Sequence, residues 1–123
     1  MTIEELYDKI GGNYEGALNR LRSDMLVSRF IVKFLDDKSC ENLFAAWAEG
    51  DEQAAFEAAH AAKGVCANLA IDGLAETASA ITEALRPGND AVRASTDVDA
   101  LVNELKANYA VATEAIAAFA SEQ

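Results

Sequence analysis

The chain has 123 residues, of which 21 are acidic and 10 basic, giving a net charge of −11, and 51% are apolar. This length suits one domain, residues 1–123, able to bury a core without staples, and the apolar share is globular rather than disordered. The acidic balance argues against nucleic acid and anionic membrane surfaces as partners, since both need a basic patch.

Thr2-Ile3-Glu4-Glu5 has the form of a capping box, and Ile3, Leu6, Tyr7 and Ile10 follow at helical spacing. The same segment lacks the basic and apolar regions of a signal peptide, and no apolar run approaches a membrane span, so a cytoplasmic protein is expected. Gly11-Gly12 should end the first helix, and Asn13 should cap a short second one carrying Ala17, Leu18 and Leu21. Ser23 or Asp24 opens a third, with Leu26, Val27, Phe30, Ile31, Phe34 and Leu35.

After the polar break Asp36-Asp37-Lys38-Ser39, the spacing predicts four longer helices, at 38–49, 51–70, 73–86 and 97–120. Gly50 stops the first and Asp51 caps the second. A tight turn is expected at Asp72-Gly73, and Arg86-Pro87-Gly88 halts the third. Residues 87–95 read as a loop, with Thr96-x-x-Asp99 capping the last helix. The fold class is therefore all-α. Residues 37–120 form an antiparallel four-helix bundle, and the additional short N-terminal helices of residues 1–36 cover it. Trp47, the lone tryptophan, reads as core. Cys40 and Cys66 have no CxxC spacing and read as buried free thiols.

The only histidine, His60, lies mid-way along the 51–70 helix. At about 100° per residue, Ala55, Ala58, Ala62, Val65, Cys66 and Leu69 gather on the side opposite to it, a stripe facing the core. Gln53, Phe56, Glu57, Lys63, Gly64 and Ala67 share its own side. His60 therefore points outward. Gly64 costs about 1 kcal/mol relative to alanine in a helix interior, and it leaves open space beside the imidazole. Lys63, at i+3, can bring its ammonium over the same spot. A nucleophilic imidazole, a nearby cation and a cleared approach are the parts needed to accept a phosphoryl group.

Glu57-x-x-His60 also matches one arm of the di-metal motif of ferritin-like bundles. That reading fails, because no second histidine exists and His60 faces away from the bundle interior. No metal is expected, and no phosphate loop or catalytic triad is visible.

The run Ala59-His60-Ala61-Ala62-Lys63-Gly64, with Asn68-Leu69 behind it, resembles the histidine-containing phosphotransfer (HPt) family over roughly residues 24–120. Ala67 and Ala70 stand where that family often has glycines. Thr82 stands 22 residues after the histidine, where the family often places Gln or Glu to help hold the phosphoryl group. The resemblance implies a monomeric phosphocarrier of a His-Asp phosphorelay, without turnover or a cofactor of its own. His60 would take a phosphoryl group from a response-regulator receiver domain and pass it to another, and the receiver would supply Mg²⁺. A hybrid histidine kinase is a further implied partner. Gln53, Phe56, Glu57 and Ala67 would then line the partner-binding surface, with Thr82 as an accessory to the site. The alternative is a helical docking module that binds receivers or other signalling proteins without carrying phosphate.

Overall fold

The structure is a computed structural model that describes residues 1–123. In chain order the helices are α1 (Ile3–Lys9), α2 (Tyr14–Leu21), α3 (Asp24–Lys33), α4 (Ser39–Ala48), α5 (Glu52–Asn68), α6 (Asp72–Leu85), α7 (Asp90–Ser95) and α8 (Val98–Ser121). A 3-10 turn at Phe34–Asp36 prolongs α3, and no strand is present. The helix starts follow from side-chain chemistry, because an N-terminus has donors with no partner inside the helix. Thr2 and Glu5 form the reciprocal capping box of α1. The side chains of Asn13, Ser23 and Asp51 accept from backbone amides at the starts of α2, α3 and α5.

Helices α4, α5, α6 and α8 form the four-helix bundle. Its interior holds Leu43 and Ala46 from α4, Ala55, Ala59, Ala62 and Cys66 from α5, Leu74, Ala78, Ile81 and Leu85 from α6, and Val98, Val102, Leu105, Ala112, Ile116 and Phe119 from α8. Small side chains on α5 let α4 and α6 close in on both sides. The N-terminal helices bury Leu6, Tyr7, Ala17, Val27 and Ile31 against the same core. They also clamp the α5–α6 connection. The Tyr7 hydroxyl donates to the Leu69 carbonyl at 2.8 Å, the Asn13 amide to the Ala70 carbonyl at 2.8 Å, and the Gly73 amide to the Gly11 carbonyl at 3.0 Å.

Four expectations from the sequence are corrected. The turn after α5 is at Leu69–Ile71, and Asp72 and Gly73 already belong to α6. Ala70 takes a left-handed φ of 55° there, and the Ile71 amide reaches back to the Cys66 carbonyl at 2.9 Å. That long backward bond is a helix-ending pattern usually built on glycine. Segment 87–95 is not all loop, since Asp90–Ser95 forms α7. It buries no residue, so it leaves no apolar periodicity to detect. It is held from outside by Arg93, which pairs with Glu52 at 3.2 Å and lies over the Trp47 ring.

The cap of α8 is Asp97, which accepts from the Ala100 amide at 3.0 Å, whereas the Thr96 hydroxyl donates back to the Val92 carbonyl of α7 at 2.6 Å. Trp47 is not core. It is half-buried, and its indole N–H donates to Asp99 at 3.0 Å.

Cys40 and Cys66 are both buried and free, and they lie next to each other across α4 and α5. A hydrogen bond between the two thiols and their burial push Cys66 well above its ordinary pKa, which keeps it a thiol.

Candidate functional site

The site is built on α5, whose start is fixed by Asp51 accepting from the Ala54 amide at 3.1 Å. The buried positions are Ala55, Ala59, Ala62, Cys66 and Leu69, while Ala58 and Val65 are only half-buried. Relative to the expected stripe, the core-facing arc is turned by about 30° toward Ala59. His60 remains exposed, as do Gln53, Glu57 and Gly64. The turn carries Phe56, Lys63 and Ala67 to the margin of the buried arc, where all three are half-buried.

That margin faces α6. The Phe56 ring stacks on the His60 imidazole, with centroids 6.2 Å apart and planes 23° from parallel. The Arg86 guanidinium lies 5.4 Å from the Phe56 centroid, a cation over an aromatic face. Arg86 also forks onto the Glu83 carboxylate, with Nε at 3.1 Å and NH2 at 3.2 Å. That hydrogen bond is the main cause holding the Glu83 carboxyl below its usual value, and the charges of Lys63 and His60 act in the same direction. Glu83 therefore lies within the field of both site residues. Of the two cations at this margin, Lys63 takes part in none of the ion pairs, whereas Arg86 is paired with Glu83.

Gly64 has open space on its outer side, because a Cβ built there would meet nothing within 4 Å. None of the cavities of the molecule is lined by His60. The imidazole thus sits on an open helix face rather than in a pocket. Such a face suits a macromolecular partner that brings its own cleft better than a small substrate needing enclosure. No group of three His, Cys, Asp or Glu side chains is placed to hold a metal ion.

Thr82 is corrected. It is fully buried, and its hydroxyl donates to the Ala78 carbonyl at 2.7 Å within α6. A threonine that bonds its own helix i−4 carbonyl has spent its one proton, so Thr82 does not reach the imidazole. Gln53 and Glu57 stay on the exposed face, joined by a 3.4 Å hydrogen bond.

Sequence reading missed Glu83 and Arg86. A signal was available, since α5 and α6 run antiparallel about a short turn. Phe56 and Arg86 lie at similar sequence distances from that turn, and so must be near the same level of the bundle.

Comparison with family models matches residues 30–112, more than half of the chain, to the Hpt domain. Neither the comparison with curated proteins nor that with solved structures returns a match.

Proposed function

The chain belongs to the Hpt-domain family, whose role is phosphotransfer in two-component signalling, and from that premise we propose that His60 is the residue that carries the phosphoryl group. The observation that supports this is the exposed imidazole with open space at Gly64 and the unpaired Lys63 one turn away.

In the proposed step the Nε2 lone pair of neutral His60 attacks the phosphorus of a receiver's aspartyl phosphate. The N–P bond forms as the P–O bond to the carboxylate breaks, and the electron pair leaves with the carboxylate. The ring then holds the phosphoryl group on Nε2 and its original proton on Nδ1. Negative charge on the transferring oxygens has to be met by fixed cations, and charge stabilisation dominates such reactions. Lys63 supplies one cation from this chain. Mg²⁺ and the carboxylates that bind it belong to the receiver. The domain contributes a nucleophile and a docking face, with Gln53, Phe56, Glu57 and Ala67 around His60, and it has no turnover of its own. Transfer to a second receiver is the same step reversed.

The test is incubation of wild type and His60→Gln with phosphorylated receiver domains in Mg²⁺. The expected result is acid-labile, alkali-stable label on the wild type and none on the variant, with matching helical circular dichroism because His60 is exposed. Receiver binding without label on the wild type would favour the phosphate-free docking module instead.

A further inference from the structure

A carrier that passes its phosphoryl group on must hold it loosely. The cations at His60 act the other way, since Lys63 and Arg86 both favour the phosphorylated state. The charged groups around His60 are Lys63 and Glu57 on its own helix, and Glu83 of α6 with Arg86 at its C-terminal cap, which reach the imidazole through the Phe56 ring stacked on it. Of the two carboxylates, Glu57 is exposed and lies on the flank away from α6, bonded to Gln53. Glu83 is half-buried at the α5–α6 seam, grips Arg86 with both oxygens, and feels Lys63 and His60 as well. Of the two, only Glu83 is paired with a cation.

We propose that Glu83 is the antagonist of the phosphoryl group: before transfer its carboxylate occupies Arg86, and after transfer it repels the phosphoryl oxygens, so that Glu83 sets how readily His60 gives the group up. This rests on the phosphocarrier reading of His60. The bond changes are those of the reversible step. The N–P bond breaks with its electron pair returning to Nε2, and the phosphorus bonds a carboxylate oxygen of the receiver. Glu83 makes and breaks no bond. It shifts the partition between phosphohistidine and aspartyl phosphate, because its charge repels the phosphoryl group on His60 and not the one on the receiver. Arg86 counters it, partly through the fork to Glu83 and partly as a donor that can turn toward the new anion.

The plain structural alternative is that Glu83–Arg86 is an i,i+3 staple on α6. The two readings differ in sign. A staple is lost equally by Glu83→Gln and Arg86→Gln, so both variants would move together. As an antagonist, Glu83→Gln raises the labelled fraction of the carrier at equilibrium with a receiver. Arg86→Gln lowers it, because the carboxylate is then uncompensated.

The experiment equilibrates wild type, Glu83→Gln, Arg86→Gln and Glu83→Asp with one phosphorylated receiver domain that labels the wild type. The labelled fraction and the lifetime of the isolated phosphohistidine are then read at low and high salt. The expected shifts are about three- to fivefold in opposite directions, the size of a surface charge interaction. They should shrink toward 1 M salt, where the screening length is about 3 Å, and Glu83→Asp, which keeps the charge, should restore the wild-type partition. Equal shifts in both variants, no shift, or a lower labelled fraction in Glu83→Gln would overturn the inference while leaving the carrier reading intact. No label on the wild type from any receiver would overturn that reading and this inference with it.

Discussion

Two glycines mark a closed corner of the molecule and an open one. At Gly12, between α1 and α2, an added Cβ would sit 2.6 Å from Tyr7 Cδ2 and 3.1 Å from the Ala70 carbonyl oxygen. At Gly64, on the outer face of α5, the same atom would meet nothing within 4 Å. The first glycine is required by the fold, because chain, ring and the α5–α6 turn converge where no methyl fits. The second is not required by any contact in this chain. It gives up helix stability on a face that the protein leaves empty. Space kept free at a cost, beside the only imidazole, is space for something that arrives from outside.

The strongest way to break this contrast is Gly12→Ala. Tyr7 cannot step aside cheaply, since its ring is fully buried and its hydroxyl is bonded to the Leu69 carbonyl. Overpacking of this kind costs about 1–3 kcal/mol, and urea unfolding should show a lower midpoint for the variant. A neutral result would mean that the corner is looser than its geometry.

Gly64→Ala should move stability the other way, by about 1 kcal/mol in favour of the fold, the helix-propensity difference alone. Gly64→Gln should also stabilise α5, while slowing phosphoryl transfer by filling the approach to His60. Both are read by the same unfolding curve and by the rate of labelling from a receiver. A destabilised Gly64→Ala would overturn the view that this position is open, and an unchanged rate in Gly64→Gln would remove its assigned purpose.

The two corners also differ in how far the sequence announces them. On α5 the apolar spacing places His60 outward and Gly64 beside it, because both are properties of a single helix. The bundle helices are legible for the same reason, as are the caps at Thr2, Asn13 and Asp51, with Ser23 one of two candidates for the start of α3. What crosses between helices is not. The adjacency of Cys40 and Cys66, the fork of Glu83 and Arg86, and the stack of Arg86 on Phe56 all depend on which face of one helix meets which face of the next. A rotation of about 30° in the core-facing arc of α5 is enough to bring Phe56 and Lys63 to α6. Thr82 fails as a site residue on the same ground, since its position on α6 turns it into the core. α7 is illegible for a different reason: with no buried residue it has no periodicity, and tertiary contacts from Arg93 hold it in place.

Lys63→Ala sharpens the open side of the contrast with the smallest change in stability. Lys63 is half-buried and unpaired, so its removal deletes no ion pair and opens no cavity in the core. Alanine is also the better helix former, and the unfolding midpoint should stay within about 0.5 kcal/mol of wild type. Transfer should nevertheless slow, by about tenfold, because a single charge-assisted contact to the moving phosphoryl oxygens is worth about 1.5 kcal/mol. Stability and transfer are thereby separated at one position. If labelling kept its rate while Gly64→Gln slowed it, the open face would serve docking alone, and the cation at the transition state would have to be Arg86 or one supplied by the receiver.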